Sequence, residues 1–427
     1  MAGKEAGMFK ENWQEIGNFG KGRAAMLALQ HLFAMFGATI LVPRLTGLDP
    51  AVALFTSAIG TLAFYFITRG RVPAYLGSSF SFIIPLQMVI FQENLGLGIG
   101  PAMVGVVFAG LIYVLVALII KQVGPEFFKQ LLPPVVVGPV IIIIGLALAP
   151  VAKDMFMDHP TTALVTLVLT VVVSIFLRGF LKLIPILIGI IGGYLFALVQ
   201  GLVDFTPFYE AAWLAWPSFT APSFQGSLAA ITIITPIALV TIVEHLGDVV
   251  ALSRTVGKDF VVKPGLHRTL LGDGVATMLA GIFGGPPNTT YSENVGVLAL
   301  TGIKNALIVS MAAVFVMLIS FVGKFGAVIQ SIPAAVMGGI TFLLFGMIAG
   351  VGLRTLTENE VDFSNPRNLV IVSLTLVVGL SGISLEIGGL VFEQMGLAAM
   401  VGILLNLILP KKDLGFVSPA PVGKIKE

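Results

Sequence analysis

The sequence predicts an all-α polytopic membrane protein of about 14 transmembrane segments. These form two inverted seven-segment repeats, with two short antiparallel strands in broken segments 3 and 10. Three observations predict it: composition, the spacing of apolar runs and an internal repeat. The chain of 427 residues is 57% hydrophobic and only 11% charged, with a mean hydropathy of +1.01. Soluble domains carry roughly a quarter of their residues as Asp, Glu, Lys or Arg. So little charge cannot cover a water-facing surface, so the surface faces lipid. Glycine is abundant at 49 residues, as close helix packing in a bilayer requires. A net charge of +2 gives no sign of nucleic-acid binding. The absence of cysteine excludes disulfides, thiol catalysis and thiolate metal sites.

A spanning helix needs about 20 mainly apolar residues. Segments 24–46, 50–68, 97–120, 131–151, 161–178, 183–203, 225–250, 305–323, 327–350, 367–384 and 391–410 qualify, and 73–92, 268–284 and 286–303 are apolar but interrupted. Residues 1–23 are polar, without the apolar core and cleavage site of a signal peptide, and form a cytoplasmic tail, as do residues 411–427. With the N-terminus inside, the outer loops carry Arg44, Lys153 and Lys324, and the remaining Lys and Arg of the 24 fall at cytoplasmic ends. That is the positive-inside bias, and it places both termini in the cytoplasm.

The chain also repeats itself. Gln30-His31-Leu32 recurs as Glu244-His245-Leu246, Pro73 before Gly77-Ser78-Ser79-Phe80 recurs as Pro286 before Asn288-Thr289-Thr290-Tyr291, and Pro133-Pro134 recurs as Pro333-Ala334. The anchors keep their order and similar offsets, the mark of two homologous halves. An odd number of spans per half inverts the second copy. The hydroxyl-rich stretches after Pro73 and Pro286 are poor helix formers. In lipid they would leave backbone groups unpaired at several kcal/mol each. Paired as short strands that each lead into a half-helix, they instead present free N–H groups to a ligand. Asn288-Thr289-Thr290 fits a glycosylation sequon but lies at membrane depth. Gly96-Leu97-Gly98-Ile99-Gly100 lacks the strand and lysine of a phosphate loop.

Ionisable residues at membrane depth usually mark a substrate or proton path. Glu244 and Asp248 stand at i and i+4 on one helix face, and Glu293 follows the broken segment of the second half. No Lys or Arg accompanies them at that depth, so they are candidates for proton coupling. His245 is turned about 100° from Glu244 and reads as structural, as does His31. Asp273, near Arg268, reads as a residue of a helix end. No His-x-x-x-His or His-Glu-x-x-His spacing supports a metal, and no cofactor is implied. Carboxylates that accept hydrogen bonds, backbone N–H groups that donate them and an aromatic wall such as Phe80 suit a flat neutral ring with alternating N–H and C=O groups. Anions call for Arg or Lys in the site, although helix N-termini alone can hold them.

At these residues the chain resembles the nucleobase–cation symporter-2 (nucleobase–ascorbate transporter) family, and within it the bacterial uracil permeases. The likeness runs from Gln30-His31-Leu32-Phe33-Ala34-Met35-Phe36-Gly37-Ala38-Thr39 to about Leu409, through Pro73-Ala74-Tyr75-Leu76-Gly77-Ser78-Ser79-Phe80 and Pro287-Asn288-Thr289-Thr290-Tyr291-Ser292-Glu293-Asn294-Val295-Gly296. Gln often replaces Glu293, and Glu-Ser replaces Glu244-His245, in purine-type members. The resemblance implies a core domain (24–122 and 225–324) moving like an elevator against a gate domain (123–224 and 325–410), in a bacterial inner membrane and within a homodimer. It implies uracil import with H⁺, Na⁺ being the other cation the family uses. It assigns the substrate to Glu244, Glu293, Phe80, Tyr291, Ser292 and Ala38, and coupling to Asp248 with Glu293 and Glu244. Three positions depart from the pattern: Asp248 where some uracil permeases have histidine, Phe345 on the gate where some have tyrosine, and Ser292 where glycine is usual. A purine or xanthine symporter of the family is the alternative reading. Remoter ones are an anion transporter of the same fold and a membrane enzyme, for which no motif is present.

Overall fold

The computed structural model describes residues 11–17, 20–91, 96–124, 130–387, 390–392 and 394–410. Most of the expected N-terminal tail and all of 411–427 lie outside them. Among the described residues six helical stretches are long and apolar enough to span a bilayer: Lys21–Thr46, Pro50–Ile67, Ile99–Val123, Pro134–Asp158, Ser227–Val256 and Ala334–Glu358. Shorter apolar helices accompany them. Large apolar side chains such as Leu115, Leu118, Val172, Ile175 and Phe176 stay exposed, as lipid-facing surfaces require.

The first half opens with α1 (Lys21–Thr46) and α2 (Pro50–Ile67). Asp49 starts α2 by accepting from Ala51 N–H at 2.8 Å, with Pro50 at the first helical position, the capping arrangement that satisfies an otherwise orphaned donor. Strand β1 (Leu76–Ser78), a short 3₁₀ turn (Phe80–Phe82), α3 (Ile83–Phe91) and α4 (Ile99–Val123) follow. Then come α5 (Pro134–Ala147), α6 (Ala149–Asp158), α7 (Pro160–Phe176), α8 (Pro185–Val199) and the short α9 (Thr206–Glu210). The second half repeats the order: α10 (Ser227–Ile234), α11 (Ile237–Val256), α12 (Leu266–Phe283), β2 (Asn288–Thr290), α13 (Ser292–Thr301) and α14 (Ala306–Ser320). It ends with α15 (Gly323–Gln330), α16 (Ala334–Glu358), α17 (Pro366–Leu380), the hairpin β3 (Leu385–Ile387) and β4 (Leu390–Phe392), and α18 (Gln394–Ile408). Pro133 and Pro333, the repeat anchors, each precede the first residue of a helix, α5 and α16.

Strands β1 and β2 pair antiparallel, with Leu76 opposite Thr290, Gly77 opposite Thr289 and Ser78 opposite Asn288. Two more backbone bonds lengthen the ribbon, Ser79 N–H to Pro287 O at 2.8 Å and Tyr291 N–H to Tyr75 O at 3.0 Å. All six strand residues are buried, so their outer edges need partners within the protein. Helices α2 and α12 supply them. Thr61 Oγ1 accepts from Leu76 N–H at 2.9 Å, Thr277 Oγ1 donates to Asn288 O at 3.0 Å, and Asn288 Nδ2 donates to Thr56 O and Ala276 O. Gly60 lets this happen, since a Cβ there would stand 2.6 Å from Asn288 Nδ2 and 2.8 Å from the Ala276 methyl.

Two neighbourhoods of helices result. Around the strands, α12 packs on α4 and α2, α14 on α2 and α1, and α10 on α4. Elsewhere α16 packs on α5, α6, α7 and α8, and α17 on α18 and α5. Helix α11 touches both neighbourhoods, meeting α13, α4 and α12 on one side and α5 and α18 on the other.

Three details differ from the sequence-based expectation. Segment 268–284, expected to be interrupted, is one unbroken helix. Its glycines serve close approach: a Cβ at Gly274 would meet Tyr113 Cβ at 2.6 Å and Gly110 O at 2.9 Å, and one at Gly281 would meet Met103 O at 2.9 Å. Segment 225–250, expected to be continuous, divides into α10 and α11 at Thr235 and Pro236, where a proline cannot donate to the preceding turn. Leu385–Ile387 and Leu390–Phe392 pair as antiparallel strands, where the sequence predicts a loop to residue 390 and then the start of the last span.

Candidate functional site

Helix α11 begins just after Pro236 and carries Glu244 and Asp248 one turn apart. Both are partly exposed. Ser81, in the 3₁₀ turn that follows β1, donates to Glu244 Oε2 at 3.3 Å. Thr290, the last residue of β2, donates to Asp248 Oδ2 at 2.8 Å, and Ser292, the first of α13, donates to Asp248 Oδ1 at 2.7 Å. The two broken segments thus each send a hydroxyl to the same acidic face. Such hydrogen bonds to a charged acceptor are worth about 1.5–3 kcal/mol each.

Glu293 stands in the first turn of α13, where a negative charge complements the helix dipole, and its carboxylate accepts from its own backbone N–H. It is partly exposed and close enough to Glu244 and Asp248 to repel both. No side chain caps the start of α13, and none caps the 3₁₀ turn at Ser79. Backbone donors are therefore available at the two points where the sequence places broken segments.

Phe80 is half-buried and opens the 3₁₀ turn. It packs against a cluster that contains buried Ala38 of α1, Tyr291 and Phe345 of α16. Tyr291 is pinned by its hydroxyl, which donates to Ser78 O at 2.9 Å and accepts from Thr39 Oγ1 at 3.4 Å. Its ring lies over Gly77, whose missing side chain leaves the room: a Cβ there would stand 2.5 Å from the ring. Six of the eight sequence-predicted positions lie on the two broken segments and α11, and Ala38 of α1 and Phe345 of α16 belong to the apolar cluster against which Phe80 packs. The cluster reaches Phe345 from the second neighbourhood of helices.

The histidines take structural positions. His31 accepts through its backbone oxygen from Asn294 Nδ2 at 3.0 Å, with its ring Nδ1 3.1 Å from the same amide. His245 is fully buried, with Nδ1 2.9 Å from Asp273 Oδ2, and neither side chain is exposed. Asp273 is therefore no residue of a helix end: it lies within α12, sealed and paired. Phe64 presents its ring edge to His245 with centroids 6.5 Å apart, and Tyr113 of α4 donates to Thr241 one turn before His245. Sequence reasoning missed this inner cluster. Its signal was an aspartate between two glycines, Gly272-Asp273-Gly274, in the middle of a helix whose other charged or titratable residues, His267 and Arg268, lie in its first turn.

Among the described residues no group of three or more His, Asp and Glu is arranged to hold a metal ion. Two open clefts, of about 530 and 440 Å³, lie elsewhere, one beside Asp49, Asp204 and Trp216 and the other beside Arg367 and Asn406. Neither is lined by the acidic face, and shape alone does not outweigh the buried polar chemistry at the broken segments.

Apolar helices, paired strands sealed inside them and an acidic face without Lys or Arg define a multi-pass membrane protein. The chain belongs to the permease family, whose model matches residues 22–387. It is 52% identical to a uracil permease of Bacillus subtilis (strain 168) over 90% of this chain and 92% of that one. It is 43% identical to a uracil permease of Escherichia coli (strain K12), over 90% of each chain. The fold is also that of the transmembrane domain of a cyanobacterium bicarbonate transporter, BicA, with a TM-score of 0.62 at 14% identity, covering 91% of this chain and 98% of that one. At that identity the likeness concerns architecture only.

Proposed function

We propose that this chain is a secondary transporter that imports uracil together with protons. The observation that carries the reading is the meeting of the two broken segments on one acidic helix face, where Ser81 reaches Glu244 and Thr290 and Ser292 reach Asp248. The names of the similar permeases supply the substrate. Glu244 accepts a ring N–H, uncapped backbone N–H groups near Phe80 and Ser292 donate to ring carbonyls, and Phe80 stacks on the ring. Ala38 and Tyr291 shape the floor, Glu293 borders the ligand, and Phe345 closes the gate side.

The helices around the strands form the moving core, and those around α16 form the gate. Protonation of Asp248 from outside neutralises part of the site and admits the substrate. The loaded core then shifts past the gate, and release of substrate and proton on the other side resets it. Fourteen crossings in a bacterial inner membrane, cytoplasmic termini and a homodimer complete the reading. A transporter of this kind leaves its substrate chemically unchanged, so it is not an enzyme.

Equilibrium binding of labelled uracil to the purified, full-length protein tests the substrate. Displacement by unlabelled uracil but not by xanthine is expected. Displacement by xanthine at equal concentration moves the assignment to a purine symporter, and no uracil binding at all ends it.

A further inference from the structure

The two hydroxyls on Asp248 differ in their surroundings. Thr290 is buried, at 5% exposure, and its Oγ1 is a fixed donor to Oδ2 at 2.8 Å. Ser292 is exposed, its Oγ lies 2.7 Å from Oδ1, and it stands next in the chain to Glu293, with Glu244 one turn before Asp248 on α11. A serine hydroxyl has one hydrogen to donate and two lone pairs that accept. An ionised carboxylate only accepts. While Asp248 is ionised, Ser292 must give its single hydrogen to Oδ1, and only lone pairs face the ligand space. A proton on Oδ1 reverses the bond: Asp248 donates to Ser292 Oγ, and the serine hydrogen turns outward by rotation about its C–O bond.

We infer that Ser292 is a proton-linked relay, which changes from hydrogen-bond acceptor to donor at the ligand when Asp248 takes up its proton. The inference rests on the proposed uracil site. A ring carbonyl is repelled by the lone pairs in the ionised state and held by the O–H in the protonated one. One hydroxyl thereby links proton uptake to ligand affinity without moving the backbone. The step balances: one proton arrives at Oδ1, the serine hydrogen stays on its oxygen, and no covalent bond to carbon changes. Glu244, by contrast, is held by Ser81, which is only 1% exposed.

The titratable groups around Asp248 are Glu244 and His245 on α11, Asp273 on α12, and Glu293 on α13. Tyr113 of α4 and Tyr291, just before α13, face the same acids. Helices α5, α10 and α18, the 3₁₀ turn and β2 contribute no titratable side chain, and Lys263, beyond the end of α11, is exposed.

Equilibrium binding of labelled uracil to full-length protein, from about pH 5 to about pH 9, tests this. One linked proton weakens parent affinity about tenfold per pH unit above the ionisation of Asp248. Ser292→Ala is expected to flatten that slope to less than about threefold over the whole range. Ser292→Thr, which keeps a hydroxyl, retains the slope, and Asp248→Asn, whose amide N–H₂ donates to Ser292 at every pH, binds without pH dependence. A parent-like slope in Ser292→Ala, or a uniform weakening that leaves the slope unchanged, overturns the relay while leaving the uracil site standing. A parent that binds uracil with no pH dependence also overturns it. A parent that binds no uracil at any pH removes the site reading and the relay together.

Discussion

Helix α11 carries two kinds of polar surface. Glu244 and Asp248 look toward the strands and α13, are partly exposed, and are held by hydroxyls of Ser81, Thr290 and Ser292. His245, next in the chain to Glu244, looks toward α12 and lies 2.9 Å from Asp273, with both side chains fully buried. The difference lies in what a change of charge costs. A hydroxyl-bonded carboxylate can take a proton without leaving an opposite charge behind. Removing either partner of the sealed His245–Asp273 pair strands the other polar group in a medium that cannot solvate it. One surface is partly exposed and hydroxyl-bonded, and the other holds α11 against α12.

The largest effect is expected from Glu244→Gln. The amide keeps the size and removes the charge that, in the proposed site, accepts the ring N–H, so the initial uptake rate into proteoliposomes should fall about 100-fold, the equivalent of roughly 2.7 kcal/mol. Unchanged uptake at equal reconstituted protein would take Glu244 out of the substrate path. Asp273→Ala should act on the other currency, destabilising the fold by about 3–5 kcal/mol, read as a lowered unfolding temperature in detergent. Replacing both partners, His245→Leu with Asp273→Leu, should restore most of that stability. A normal unfolding temperature in Asp273→Ala with uptake abolished would move Asp273 to the transport side of the comparison. Gly77→Ala should have a smaller effect, about 1–3 kcal/mol from overpacking, because its Cβ would press on the Tyr291 ring at 2.5 Å. Parent stability there would mean that the tyrosine is not fixed over the ribbon.

Much of this arrangement was legible in the residues. Pro73 and Pro286, each followed by small hydroxylated residues, pointed to non-helical backbone at matching places. Backbone in an apolar interior must pair, and β1 and β2 do so. The spacing of Glu244 and Asp248 fixed their shared face before any coordinates. The partners were not legible. Ser292 reaches Asp248 from 44 positions away, and His245 finds Asp273 on a neighbouring helix, pairings that depend on how helices rotate against one another. Segment 268–284 reads as interrupted, yet its Gly272 and Gly274 serve as contact points for Phe64 and Tyr113 in an unbroken helix. Glycine in an apolar segment marks either a break or a close approach, and only the neighbours decide which. Pro236 was the opposite case, a break hidden inside a run of 26 residues that hydropathy alone reads as one span.

In the proposed mechanism the acidic face of α11 couples a proton to uracil movement, with Asp248 as the group that changes. The measurement is labelled uracil uptake into proteoliposomes with and without an imposed inward proton gradient, for the parent and for Asp248→Asn. The account predicts gradient-driven accumulation by the parent, unaffected by xanthine. It predicts that Asp248→Asn equilibrates uracil across the membrane with no response to the gradient. Equal stimulation of parent and variant by the gradient, or no gradient response in the parent, would contradict it.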